Sequence, residues 1–351
     1  MRDLKIHKNF QLNERSFSSV DELLVFSKTI SDAVFLFLSD WFSTEDFVKV
    51  TTSGSTGKPT VIELKKEFMK NSALSTGDFF DLQENTTALL CLPAEYIAGK
   101  MMLVRALVLG WHLDVVKPTS DPLEGIKKHY DFSAMVPMQL QNSVEELHRI
   151  ETLIVGGGAV TKEVEAQLQS LKTEVFATYG MTETITHIAV RKLNNFRDAE
   201  LVSSSHYKIL SNIAITQDER NCLVIDAPEI SDTQISTNDV VALISNTEFD
   251  WLGRFDTVIN SGGVKLHPEQ IEEKLSVLIS QRFFVAGVSD SLLGEKLILL
   301  IEGIQENDVL EKVKHLKTLS KFEIPKEIYF IKKFIETETK KIQRKKTLAL
   351  K

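Results

Sequence analysis

Short apolar runs and longer amphipathic stretches take turns over the first 180 residues, and that alternation leaves the chain few folds. "FVKVTT" (47–52), "TALLCLP" (87–93), "HLDVV" (112–116), "FSAMVP" (132–137), "TLIVGG" (152–157) and "EVFATYG" (174–180) have the length and side-chain bulk of buried strands. Between them, "KKEFMKNSALSTGDFFDL" (65–82), "AGKMMLVRALVLG" (98–110) and "TKEVEAQLQSLK" (161–172) carry helical periodicity. Parallel strands need crossover connections, so this order predicts a largely parallel sheet covered by helices. Further upstream, Ser19 and Glu22 have capping-box spacing at the head of "DELLVFSKTISDAVFLFLSDWF" (21–42), one stretch of roughly helical period.

The texture changes after Thr186. Residues 187–250 offer short strand-like pieces ("HIAV", "YKIL", "IAIT", "CLVI", "VVALI") and no convincing helix, which predicts an appended small antiparallel sheet or barrel. A new unit begins around "WLGRFDTVINSGGVKLHPEQIEEKLSVL". The expected fold class is therefore α/β: a large N-terminal α/β domain (1–253) with a small β-barrel-like part, and a small mobile α+β C-terminal domain (254–351). Charge follows the same division. The net −8 arises from 23 Lys/Arg against 35 Asp/Glu before Arg254, and 18 against 14 from Arg254 onward. Six of the last twelve residues, "KKIQRKKTLALK", are basic, either a solvated face or a lid that brings cations to a phosphate.

Two cysteines far apart, Cys91 and Cys222, exclude a disulfide framework and a cysteine-rich zinc site. The charged start "MRDLKIHKNF" lacks the apolar core of a signal peptide, and "AVFLFL" (33–38) is too short to span a bilayer. A cytoplasmic protein is expected.

"TTSGSTGKPT" (51–60) surrounds one lysine with hydroxyls and two glycines. It is not the nucleotide-hydrolase P-loop. Counting back from Gly57-Lys58, the required first glycine falls on Thr52, and Pro59 replaces the magnesium-binding hydroxyl. It can still cradle phosphate: Gly54 and Gly57 let N–H groups converge, Ser53, Ser55 and Thr56 add hydroxyls, and Lys58 adds a mobile charge. Its position directly between "FVKV" and "TVIEL" speaks against a slack linker.

This loop resembles the phosphate loop of the acyl-adenylate-forming superfamily, which comprises acyl- and aryl-CoA ligases, adenylation domains and luciferases. Further motifs follow in that family's order: "VGGGAV" (155–160), "YGMTET" (179–184), "STNDVV" (236–241), "GRFDTVINSGG" (253–263) and "TETKKIQR" (337–344). Together they cover the chain from about residue 50 to its end. The resemblance implies a two-step reaction. A carboxylate displaces pyrophosphate from ATP, and coenzyme A then displaces AMP from the acyl-adenylate. The expected partners are small molecules, a carboxylic acid, ATP and CoA, with Mg2+ and without nucleic acid or a membrane span.

Carried onto this sequence, the resemblance assigns the nucleotide to Ser53–Lys58, Gly157, Gly158, Ala159, Tyr179 and Gly180, with Tyr179 against the adenine. Thr182 would contact the α-phosphate and Glu183 the magnesium ion, a hard cation suited to a carboxylate oxygen. Asp239 would accept the ribose hydroxyls, with Arg254 beside it. Asn238 stands where the family usually has Gly, a substitution a left-handed turn tolerates. Asp256 would be the hinge between domain poses. Gly262 and Gly263 would admit the pantetheine arm of CoA or form an ordinary hairpin turn. Lys341 would be the catalytic lysine by the register of "KIQR", with Lys340 competing because it stands where Gly is usual; Ile335 stands where Pro is usual.

Two features bear on the acid. The phosphate loop begins nearer the start than in typical family members, as in a shortened form. The segment "LPAEYIAGKMMLVRALVLGW" (92–111) is similar to that of the o-succinylbenzoate–CoA ligases, with Tyr96 at the usual histidine position. That substrate carries two carboxylates, one of which is not activated and needs a cation. Arg105 is the candidate, set against the more ordinary reading of a surface arginine on an amphipathic helix.

Overall fold

The computed structural model describes residues 5–52, 60–195, 206–304, 308–336 and 342–351. Ser53–Lys58, Thr337, Lys340 and Lys341 lie outside them. In chain order the first strands are β1 (Gln11–Leu12), β2 (Phe47–Thr52), β3 (Thr60–Lys65), β4 (Thr87–Leu90), β5 (His112–Val115), β6 (Tyr130–Met135), β7 (Ile150–Val155) and β8 (Glu174–Gly180). Helices α1 (Val20–Ser27), α2 (Asp32–Trp41), α3 (Lys66–Phe80), α4 (Ile97–Leu109), α5 (Pro137–Asn142) and α6 (Lys162–Leu168) lie between them. β1, β5, β4, β6, β7 and β8 stand side by side in that order, all parallel.

Alternate side chains of these strands feed two cores, as a period of two requires. Ala88, Leu90, Phe132, Ala134 and Ile154 pack with α1–α4. Leu89, Cys91, Leu153, Val155 and Val175 pack on the other face with Val164 and Leu168 of α6. α4 is buried from Met101 to Leu107 on every side.

Three expectations change. The stretch 21–42 is two helices, because Ser31 turns to extended backbone and its hydroxyl caps the second by accepting from Val34 N–H. "FVKVTT" does form a strand, but β2 pairs with β3 in a hairpin of its own, closed by Thr52 opposite Thr60. The appended antiparallel part is no barrel among the described residues. β9 (His187–Lys192), β10 (Tyr207–Ile209), β11 (Ala214–Gln217), β12 (Cys222–Asp226), β13 (Ile235–Leu243) and β14 (Glu248–Arg254) continue the same sheet in the order β9-β10-β14-β13-β12-β11. β9 pairs antiparallel with β8, so one open twelve-stranded sheet runs through both halves.

That sheet ends at Arg254, and a five-stranded one begins at Ile259. It contains β15 (Ile259–Ser261), β16 (Val264–Leu266), β17 (Phe283–Asp290), β18 (Gly294–Glu302) and β19 (Glu327–Ile331), accompanied by α7 (Pro268–Leu275), α8 (Val309–Lys314) and α9 (Arg344–Leu348). Leu297, Leu299 and Ile301 of β18 face Ile271 and Leu275 of α7, whereas Ile298 and Leu300 face Phe334. Contacts join the two sheets' units: Lys162 pairs with Glu273 at 2.8 Å, and the Gln270 side chain donates to Trp251 O at 3.2 Å. Among the described residues no helix is long and apolar enough to cross a membrane.

Candidate active site

Parallel strands put their carboxyl ends on one edge, and loops leaving that edge are where open α/β sheets bind ligands. Tyr96 follows β4 and is exposed at the N-terminus of α4. Gly157, Gly158 and Ala159 follow β7 in an exposed turn, where Gly157 has φ +82°. Gly180, Thr182 and Glu183 end β8 and continue it. The sheet order β4-β6-β7-β8 makes these loops neighbours.

The turn after β8 is held under strain. Ile185 is β-branched and buried yet has φ +65° and ψ −61°, with Thr186 N–H donating to Thr184 O at 2.7 Å in a γ-turn. The Thr184 hydroxyl accepts from Met181 N–H, and its one proton lies within reach of the Thr186 and Met181 carbonyls, at 2.7 and 2.9 Å. Gly180 admits no side chain, since a Cβ would stand 2.2 Å from Thr186 O. This frame leaves the two chemical residues free: among the described residues Thr182 and Glu183 make no side-chain hydrogen bond or ion pair, and Glu183 is exposed. No described group of three or more His, Cys, Asp or Glu could hold a metal. A lone carboxylate does suit Mg2+, which keeps its waters and is commonly held by one or two carboxylates together with substrate phosphates.

Asp239 joins this edge from the antiparallel half. It is 7% exposed on β13, and its Oδ2 accepts the Tyr179 hydroxyl at 2.7 Å. Burial first, then the Asp239 charge, push the Tyr179 phenol well above its ordinary pKa, so it stays a donor. Arg254 sits opposite Asp239 across the ladder, its NH1 3.8 Å from Oδ1, and its Nε donates to Asp256 at 3.2 Å. Asn238 is not in a left-handed turn. It lies inside β13, apart from the positive-φ residues, and its Oδ1 accepts from Arg220 at 2.9 Å.

Arg105 is not on the surface. The expectation of an amphipathic helix fails because α4 is enclosed all round; the guanidinium is 1% exposed. Nε donates to Thr76 Oγ1 at 3.3 Å, NH1 approaches Met102 Sδ at 3.7 Å, and NH2 lies 3.5 Å from His187 Nδ1. No carboxylate pairs with it among the described residues. Burial pushes its pKa down to about 9, which leaves it charged at neutral pH. His187 is held well below 6.5, by burial first and the Arg105 charge second, and is therefore neutral. With its proton on Nε2, the ring accepts from Arg105 and faces Thr76 Oγ1, 3.5 Å away. His187 pairs with Gly180 across β8–β9, so this cluster lies at the level of the strand ends. On its other side His187 lines a small, partly open pocket together with Ser72, Ser75, Leu210 and Ile230. Sequence reasoning missed His187 and Thr76, although a histidine four residues after Glu183 was a visible signal. Lys100, one turn into α4, has its ammonium pKa lowered by burial and donates to Ala94 O at 2.9 Å.

In the second sheet's unit, Gly262 and Gly263 have φ +59° and +82° and close the β15–β16 hairpin between Ser261 and Val264, as a two-residue turn requires. Arg344 grips Glu272 with both arms, at 2.8 and 2.7 Å, and Ile342 bridges to Glu336. The described residues on either side of Lys340 and Lys341 are therefore anchored, Glu336 and Ile342 to each other and Arg344 to Glu272.

A family model described as AMP-binding enzyme matches residues 28–224. The 2-succinylbenzoate–CoA ligase of Enterococcus faecalis is 24% identical over 95% of this chain and 75% of its own length. That of Lactococcus lactis is 23% identical over 98% and 80%. Among solved structures, an acyl-CoA synthetase (AMP-forming)/AMP-acid ligase II-like protein from Dyadobacter fermentans is 36% identical, covers 93% of this chain and 97% of its own, and has a TM-score of 0.61. The o-succinylbenzoate coenzyme A synthetase of Bacillus subtilis, in complex with ATP and magnesium, superimposes with a TM-score of 0.75 at 18% identity, over 96% of this chain and 83% of its own. The chain thus belongs to the AMP-binding enzyme family, and it is an AMP-forming acid–thiol ligase of that family.

Proposed function

We propose that the protein activates o-succinylbenzoate with ATP and transfers the acyl group to coenzyme A, a step of menaquinone biosynthesis. The observation that carries the choice of acid is the Arg105 guanidinium, 1% exposed and without a carboxylate partner among the described residues. Buried charges are ordinarily paired, and an isolated one is costly. The second carboxylate of the substrate would complete this one, and the substrate named for the Enterococcus and Lactococcus relatives has it.

In this reading Tyr179 lies against the adenine, Asp239 and Arg254 take the ribose, and Ser53–Lys58 with Gly157, Gly158, Ala159 and Gly180 enclose the phosphates. The Thr182 hydroxyl donates to the α-phosphate, where negative charge accumulates as the substrate carboxylate attacks. Glu183 holds Mg2+, whose charge offsets that of the phosphates. Lys341 bridges the substrate carboxylate and α-phosphate. Tyr96 borders the acid, and Gly262 and Gly263 let backbone approach the pantetheine arm when the unit beyond Asp256 swings. Arg105 fixes the far end of the acid by charge.

ATP–pyrophosphate exchange with a panel of acids tests this. O-succinylbenzoate should outperform benzoate, 4-coumarate and hexanoate. A preference for a simple aryl or fatty acid would replace the substrate and keep the chemistry, and no exchange with any acid would point to a non-catalytic nucleotide-binding relative.

A further inference from the structure

The Asp239 carboxylate is gripped from two sides, and only one grip belongs to the recognised motifs. Tyr179 donates to Oδ2 at 2.7 Å; the Trp251 indole N–H donates to Oδ1 at 3.1 Å. Trp251 reaches that position through a fault in the ladder. Asp239 faces Arg254 and Val240 faces Gly253, but Val241 faces Trp251, so Leu252 is left without an opposite. Residues three apart on an unbroken strand point to opposite faces, but across this bulge Arg254 and Trp251 both lie on the face of Asp239. Gly253 makes the bulge possible, with φ +143° and a Cβ position only 2.3 Å from Glu269 Oε2.

We infer that Trp251 is a positioning residue for the sugar of the nucleotide, an inference that rests on the nucleotide-binding role proposed above for Asp239. A carboxylate offers about four lone-pair directions on two oxygens. One donor on each oxygen fixes its rotation and leaves one direction on each, matched to a pair of adjacent hydroxyls. The ligand class is therefore a ribonucleotide with both the 2′- and 3′-hydroxyls free. Indole is a donor only, so this grip cannot reverse. Without it, among the described residues, Oδ1 is left with Arg254 NH1, 3.8 Å away, and the carboxylate should turn toward that charge.

The test compares ATP with 2′-deoxyATP and 3′-deoxyATP in acid-dependent pyrophosphate exchange, for wild type and Trp251→Phe. The wild type should discriminate against both deoxynucleotides. W251F should raise KM for ATP about tenfold and shrink that discrimination by about the same factor, as expected for a lost hydrogen bond to a charged group. Its kcat and its KM for the acid should stay within about twofold, since the lost interaction is uniform binding. Benzothienylalanine at position 251 keeps the bicyclic shape and removes the donor, and should behave as W251F does. An active wild type whose discrimination survives in both variants overturns the role of Trp251 alone. A wild type with no exchange overturns the ligase reading with it.

Discussion

Arg105 NH2 lies 3.5 Å from His187 Nδ1 in the core between α3, α4 and β9, and both side chains are buried. The cation is met by an imidazole, a hydroxyl and a thioether, all neutral. Such an arrangement separates what burial does to stability from what the charge does for substrate.

Stability should depend on pH through His187. The folded ring refuses a proton that the unfolded chain accepts near pH 6.5. The unfolded state binds more protons below that value, so stability is full above pH 6.5 and falls as the pH drops. This one group contributes a slope of up to about 1.4 kcal/mol per pH unit. Urea denaturation at several pH values between 5 and 8 should show it, and His187→Asn should flatten the dependence. An unchanged slope in H187N would mean that the ring takes up its proton equally in the folded and the unfolded chain.

Two glycines should respond differently to alanine. A Cβ at Gly180 meets the Thr186 carbonyl oxygen at 2.2 Å, part of a turn already strained at Ile185. Gly180→Ala should cost about 2 kcal/mol or more, with loss of activity. Gly263 has φ +82° and no atom within 4 Å of its Cβ position, so Gly263→Ala meets only the left-handed backbone penalty of about 1–2 kcal/mol. Denaturant midpoints for the two variants measure the contrast; equal effects would contradict it.

Lys341 is assigned by register alone, and half-reactions can judge it. Lys341→Ala should abolish acyl-adenylate formation yet still convert a supplied acyl-adenylate to the CoA thioester. A severe defect in Lys340→Ala beside a near-normal Lys341→Ala would move the assignment by one residue.

Much of this was legible because β4, β6, β7 and β8 are apolar runs of strand length, each leading into a loop at the same edge. Thr182, Glu183 and Gly180 stand at that edge because their motif ends β8. Other features have only a tertiary cause. One arginine in "IAGKMMLVRALVL" reads as the wet face of a helix, and only enclosure by α3 and the sheet reverses that. The appended strands were visible singly, but no local pattern states that β10 pairs with β14 and so keeps the sheet open. The bulge that turns Trp251 toward Asp239 lies in the register between two strands. Neither strand shows it alone.

The most direct measurement concerns the charge of Arg105. Pyrophosphate-exchange kcat/KM should be determined for o-succinylbenzoate and for its monomethyl ester at the carboxylate that is not activated, with wild type and Arg105→Met. The wild type should strongly prefer the free dicarboxylate. R105M should lose most of that preference, keep its activity on the ester, and unfold at an equal or higher denaturant concentration, because replacing a buried unpaired charge by an apolar chain is neutral or stabilising by about 1 kcal/mol. A wild type indifferent to the second carboxylate, or an R105M protein that is destabilised yet still prefers the dicarboxylate, would contradict it.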